Sequence, residues 1–559
     1  MSPQNGIYTS PIHFDPSTIE NCLVSDFIFK IIRKNRDQLK DKEWMIDANT
    51  GAKVLFKDVE VDSKRIASGL ARLGFKKQDV LFYVTYETAV LYLVHVGVWS
   101  LNGAVRGCYQ KESIEEYARQ IIETKANFVL VDEKTADILA QAIKLVDWPI
   151  KVITFGDVDL PGSSSVKTLL EDDGSAYPAK VEFDWKEDVA CIPNSSGSTG
   201  LPKGALHTHF NLILTTSLFP GIKEFSLTFM TPMSNHAVGC HIFAVHSVVH
   251  GCTLIHLGTF EKEKYFDYIE KFKPENVLMY PFVATWFARS DKLNSSDLSC
   301  IKVISVAGSV LDPTTAELLA AKLPQIKFNQ VYGMTELLNI TCTLIGEETD
   351  EENKCRKIVC IENGDELCVS SGKIAPTVQV KIVDVSSGEC LGPCKRGQIL
   401  VKSLTTMKGY LTNNSDSPSQ SAIDADGWLH TGDIGFFDDK GNLYIKERVS
   451  ILFKYFMFIV SPTEIEVVLQ KHPDVMQVGV VGVPHPESTS LATAFVVRKP
   501  GGKCTEQELC QYVAEKLPSY KHLHGGVKFI DKLPESRGNK LDRAALKNYA
   551  IEEYKYNGN

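Results

Sequence analysis

The segment Ser195-Ser196-Gly197-Ser198-Thr199-Gly200-Leu201-Pro202-Lys203-Gly204 has the make-up of a phosphate cradle. Its three glycines allow positive φ and close backbone approach, and the turn's N–H groups can form an anion-binding nest. Four hydroxyls add donors and Lys203 adds a positive charge, so the segment meets the needs of a triphosphate. A flexible Gly/Ser linker has a similar composition. The apolar run VACIP at 189–193 and the Pro202-Lys203 step argue against that. Gly204, not a hydroxyl residue, follows Lys203, so this is not the G-x4-G-K-[ST] loop of P-loop nucleotide hydrolases, and kinase-like transfer loses ground. A second candidate is the turn Ala307-Gly308-Ser309 between the run KVISV and the segment DPTTAELLAAKL, because strand–turn–helix junctions bind ligands in α/β folds.

Elements must hold these turns in place. In the first half, VLFYVT (80–85), FVLVDE (128–133) and KVITFG (151–156) alternate with helical patterns such as IEEYARQIIETKA (114–126). That order predicts βα units and a largely parallel sheet. The apolar stretch from Ala89 to Val105 contains His95, Ser100 and Asn102 and is short for a membrane span, so it predicts a buried helix and no transmembrane segment. The acidic stretch GEETDEEN reads as a solvated loop. From about residue 374 short strands with turns (IAPTVQVKIVD, GQILVKS) predict a β-rich subdomain. After Glu447-Arg448 the segments PTEIEVVLQK, VGVVGVP, ATAFVVRK and TEQELCQYVAEKL suffice for a separate α+β unit. The expected fold is α/β: a large N-terminal domain, 1–446, of doubly wound α/β subdomains plus a β-rich subdomain, and a small mobile C-terminal domain, 447–559.

Bulk properties narrow the classes. A composition of 44% hydrophobic and 23% charged residues can bury a sizeable core, so disorder is not expected. A net charge of −9 offers no basic field for nucleic acid or anionic lipid. The 14 cysteines include no CxxC pair and read as free thiols, not as a disulfide framework or zinc site. The start MSPQNGIYTSPIHFDPS lacks a secretory pattern and the chain ends Tyr-Asn-Gly-Asn, not a Ser-Lys-Leu peroxisomal tripeptide, so an intracellular, cytoplasmic protein is expected.

The 195–204 decapeptide resembles the signature of the adenylate-forming superfamily that includes acyl-CoA synthetases, 4-coumarate–CoA ligases and beetle luciferases. Further motifs follow in that superfamily's order, from FKDVEVDSKRIASGLARLG (56–74) to residue 546. Tyr332-Gly333-Met334-Thr335-Glu336 is similar to Y-G-x-T-E. The resemblance implies an aromatic ring on adenine, Thr335 at the α-phosphate and Glu336 on Mg2+, and these residue types suit a purine and a hard cation. Trp428-Leu429-His430-Thr431-Gly432-Asp433 resembles the segment whose aspartate accepts from the ribose hydroxyls, and Arg448 lies where a second ribose residue is placed. Lys540, in Leu533-Pro534-Glu535-Ser536-Arg537-Gly538-Asn539-Lys540, matches the lysine that reaches the site during adenylation. Without the joint match, Asp433 would read as a turn residue and Lys540 as surface.

The resemblance implies ATP-dependent activation of a small-molecule carboxylic acid, fatty or aryl, through an acyl-adenylate with release of pyrophosphate. Thioester formation with coenzyme A follows, making the protein an AMP-forming acid–thiol ligase. Two stretches depart from the pattern. In Pro232-Met233-Ser234-Asn235-His236-Ala237-Val238-Gly239, either His236 or Asn235 fills the position at the mouth of the acyl pocket. In Lys454-Tyr455-Phe456-Met457-Phe458-Ile459-Val460-Ser461-Pro462, Phe456 replaces a basic residue and Met457 replaces the glycine that admits the thiol arm of coenzyme A. An acceptor other than coenzyme A, or oxygen, is therefore an alternative, as is a member that binds ligands without turnover. His241, His246 and His250 lack the glutamate of H-E-x-x-H and read as helix-face histidines.

Overall fold

The computed structural model describes residues 6–87, 89–110, 112–156, 158, 160–195, 202–218, 228–231, 237–258, 260–308, 310–342, 356–361, 364–411, 422–456, 458–485, 488–536 and 540–557, with the backbone alone at several of these, Lys540 included. Two parallel sheets form the first half. In one, Val80–Val84 lies between Ala104–Gly107 and Phe128–Val131, and Lys151–Thr154 continues the parallel array. In the other, Lys327–Val331, Val303–Ala307, Asn276–Met279, Thr228–Thr231, Thr253–His256 and Glu43–Asp47 run parallel, and Lys53–Leu55 closes the edge antiparallel. Runs rich in Val, Ile and Leu suit strands covered on both faces.

The apolar stretch resolves into the helix Leu91–Ser100, buried at every position, and the strand Ala104–Gly107. Its side chains share one core cluster with Leu81 and Phe128 of the first sheet and Met45 and Leu254 of the second, which explains why no face of this helix is polar. No described helix is long and apolar enough to cross a membrane.

Ile7–Thr9, Val378–Val383, Gly397–Ser403, Leu429–Phe437 and Leu443–Arg448 form an antiparallel sheet. In Val378–Val383 the buried Val378, Val380 and Ile382 alternate with Gln379 and Lys381, the pattern of a sheet with one covered face. The C-terminal residues form a separate α+β unit. There Val475–His485 and Thr489–Arg498 make a long hairpin joined in parallel by Val527–Phe529, and the helices Pro462–Gln470 and Glu506–Ala514 cover it. Thr505 and Glu508 cap the second helix reciprocally, at the T-x-x-E spacing of a capping box.

Lys203–Thr208 is a strand, and the helix that follows it starts at His209. The strand forms because it has partners on both sides, Val189–Cys191 and Gly409–Tyr410, while Thr208 and Asn211 close a capping box that fixes the helix start. Residues 196–201 therefore connect two strands of a hairpin, with Ser195 opposite Lys203.

Candidate active site

Both ends of the hairpin are anchored by the helix Ile114–Thr124. Gln120 accepts from Asn194 Nδ2 at 3.0 Å, and Arg119 Nη2 donates to the carbonyl of Pro202 at 3.0 Å. Beneath it the fully buried Arg106 donates to Asn194 Oδ1 at 3.1 Å and pairs with Glu123 at 2.9 Å. Burial disfavours the Arg106 charge, and the Glu123 carboxylate offsets this. Of the sequence-predicted cradle, Ser195 and Lys203 are described; Ser196, Gly197, Ser198, Thr199 and Gly200 lie outside the described residues, as does His236 together with Asn235.

Glu336 is the meeting point of the cradle and the Tyr332–Glu336 segment. The residue is 6% exposed, and its Oε1 accepts from Ser195 Oγ and from Tyr410 Oη, the latter at 2.6 Å. Among the described residues, Oε2 accepts no hydrogen bond. A carboxylate oxygen left without a hydrogen-bond donor fits a divalent cation. Lys203 Nζ lies over the Tyr410 ring, 5.3 Å from its centroid. Burial, and then the Glu336 charge, hold the Tyr410 hydroxyl protonated, so that it remains a donor. Thr335 is held through its carbonyl, which accepts from His207 Nε2 at 2.7 Å. A carbonyl only accepts, so His207 carries its proton on Nε2; burial pulls this imidazole down to about 4 and keeps it neutral.

The segment turns sharply. A Cβ on Gly333 would lie 2.3 Å from the Leu338 carbonyl, so only glycine allows Gly333 and Met334 to pair with Leu338 and Asn339. Tyr332 closes the other side, donating its hydroxyl to Asp433 Oδ2 at 2.7 Å, while Arg448 Nε reaches Asp433 Oδ1 at 3.0 Å. Asp433 and Arg448 are direct partners across neighbouring strands. The register shifts between Ile434, opposite Glu447, and Gly435, opposite Ile445, which leaves Lys446 as an extra residue. Gly308, at φ +98°, places its backbone against the Tyr280 ring.

The backbone of Lys540 pairs with Ser536 in a short hairpin; its side chain is not described. Met457 also lies outside the described residues, while its neighbour Phe456 is 52% exposed at φ +51°. Among the described residues no group of three or more His, Cys, Asp or Glu side chains is placed to hold a metal ion. The rings of His246 and His250 lie 4.2 Å apart, and burial keeps His246 neutral, down to about 3.

Glu447 adds an expectation about pH. Burial, opposed by a 2.6 Å bond from Ser461 Oγ and reinforced by Glu464, raises its carboxyl from 4.5 to about 7. Between these values the unfolded chain has released this proton and the folded chain keeps it. Folding therefore becomes less favourable as pH rises through the window, and the cost is complete above pH 7. Glu447→Gln removes the titration. Relative to the native chain it gains stability from pH 4.5 to about 7 and then levels off, a difference on the order of 3 kcal/mol. Denaturant unfolding of both proteins across this range measures it; parallel curves would contradict the assignment.

A large α/β domain followed by a separate C-terminal α+β unit is the architecture of an adenylate-forming enzyme. Residues 32–411 match the family model described as "AMP-binding enzyme" and residues 464–540 that of its C-terminal domain, and the chain belongs to this family. It is 31% identical over 448 residues to a luciferin 4-monooxygenase of Nipponoluciola cruciata, covering 78% of each chain. It is 29% identical over 544 residues to 4-coumarate–CoA ligase CCL1 of Humulus lupulus, covering 93% of each. In structure it is similar to ATP-bound MatB from Rhodopseudomonas palustris, with a TM-score of 0.81, 21% identity and coverage of 96% of this chain and 100% of the other.

Proposed function

We propose that the protein uses ATP to activate a carboxylic acid, with Tyr332 against the adenine, Asp433 and Arg448 at the ribose, and Ser195–Lys203 around the phosphates. The observation that carries this reading is the convergence of Ser195 and Tyr410 on Glu336, with Lys203 over the Tyr410 ring, beside Tyr332 of the same segment and its partner Asp433. Thr335, fixed by His207, serves the α-phosphate, and Glu336 would hold Mg2+, which neutralises phosphate charge when bound. A carboxylate oxygen attacks the α-phosphorus, the bond to the bridging oxygen breaks, and pyrophosphate leaves. Lys540 offsets the charge that develops. A nucleophile then displaces AMP from the acyl carbon. The C-terminal unit, proposed to begin at 447, turns between the two steps and exchanges Lys540 for the 454–462 loop.

For the acceptor, coenzyme A is the first reading, supported by the ligase named among the relatives. The second is a non-thiol acceptor or oxygen, favoured by the exposed, positive-φ Phe456 at a position where a basic residue and a neighbouring glycine would receive coenzyme A. The test supplies Mg-ATP with pooled aliphatic and aromatic acids, with and without coenzyme A, and identifies products by mass spectrometry. Acyl-CoA supports the ligase; acyl-AMP that accumulates despite coenzyme A supports the second reading; no adenylate with any acid refutes both.

A further inference from the structure

A carboxylate that holds a metal through one oxygen must keep that oxygen turned toward the ion, and a glutamate rotates easily about its terminal bonds. The surroundings of Glu336 restrict this rotation. Its Oε1 takes two hydroxyl donors, Ser195 Oγ and Tyr410 Oη, which satisfies both lone pairs of that oxygen. Turning Oε1 outward would break both bonds at a buried residue, so Oε2 is the oxygen left to bind.

The two donors are themselves fixed by the sheet. Ser195 pairs with Lys203 on one side of the hairpin, and Tyr410 pairs with Ala205 on the other. The segment bearing Tyr410 also holds the Glu336 backbone, since Met407 N donates to the Glu336 carbonyl at 2.8 Å. Lys408 N donates to the Leu206 carbonyl at 2.9 Å and Leu411 N to the Gly204 carbonyl at 2.7 Å, which locks this segment against the phosphate strand.

We propose that Tyr410 is a positioning residue for the divalent cation: together with Ser195 it pins one oxygen of Glu336 and presents the other to the metal. Its ring, under Lys203, also sets the distance between the phosphate-binding charge and the metal carboxylate. The proposal rests on the reading of Glu336 as the metal-binding residue, so the test separates the two. The affinity of the full-length protein for α,β-methylene-ATP is measured by calorimetry in EDTA and again with Mn2+, and the ratio reports the metal's contribution. Removing an outer-shell partner of a metal ligand typically costs 10–100-fold.

Tyr410→Phe, which keeps the ring, is expected to lower the ratio about tenfold and leave the EDTA affinity unchanged. Ser195→Ala is expected to act in the same direction, and Glu336→Gln to abolish the gain from Mn2+. A native ratio in Tyr410→Phe with a lowered ratio in Glu336→Gln overturns the positioning role alone. A native ratio in both overturns the metal reading of Glu336 as well. Equal losses with and without Mn2+ in Tyr410→Phe show that the tyrosine merely supports the hairpin, which also overturns the proposal.

Discussion

Replacing Lys540 with alanine is expected to slow formation of the acyl-adenylate by on the order of 10² or more, the usual loss when one preorganised charge-stabilising group leaves a reacting centre. The argument is electrostatic. As the carboxylate attacks, negative charge accumulates between the acid and the α-phosphate, and an ammonium at that point lowers the barrier without itself reacting. Lys540 is well mounted for this. It opens the second strand of the Ser536/Lys540 hairpin, and the adjacent Leu541 packs near Gly479 of the long C-terminal strand. The variant should fold normally, because the hairpin's pairing uses backbone atoms. Pyrophosphate release measures the effect, and supplying preformed acyl-AMP should restore acyl transfer to the acceptor. A near-native rate of pyrophosphate release in Lys540→Ala would refute the assignment.

Asp433→Asn is expected to raise the KM for ATP on the order of 10²-fold with a smaller change in kcat. Hydrogen bonds to a charged group contribute about 1.5–3 kcal/mol each, and the proposed ribose contacts use two. The ribose does not react, so its binding is shared by ground and transition states, and its loss appears in KM. The native carboxylate is also held by Tyr332 Oη and Arg448 Nε. Asparagine keeps one acceptor and leaves Arg448 without an ionic partner at that point. Steady-state kinetics with varied ATP provide the measurement, and an unchanged KM would remove Asp433 from the nucleotide site.

The sequence disclosed the parts of this molecule that local chemistry determines. VLFYVT, FVLVDE and KVITFG became strands, and PTEIEVVLQK and TEQELCQYVAEKL became helices, because periodicity and caps act over a few residues. Tyr332, Glu336, Asp433 and Arg448 were legible as motif members, and the fold joins the first two to Asp433 and Ser195. Tyr410 was missed because nothing local marks it: its role arises when the two-residue strand Gly409–Tyr410 pairs with Lys203–Thr208, some two hundred residues earlier. His207, Arg119 and Gln120 act through long-range contacts of the same kind. The strand Lys203–Thr208 likewise depends on pairing with distant partners.

The irregular residue in the antiparallel sheet determines which chemistry the site receives. Beyond Gly435, opposite Ile445, an unbroken ladder over these residues would set Asp433 against Glu447, two carboxylates face to face. The extra Lys446 advances the count by one, bringing the guanidinium of Arg448 to Asp433 and leaving Glu447 to bond Ser461. Spacing is thus as much a part of the site's specification as residue identity: an insertion between Gly435 and Arg448 that slipped the pairing by one would keep every side chain in the chain and still exchange attraction for repulsion at Asp433.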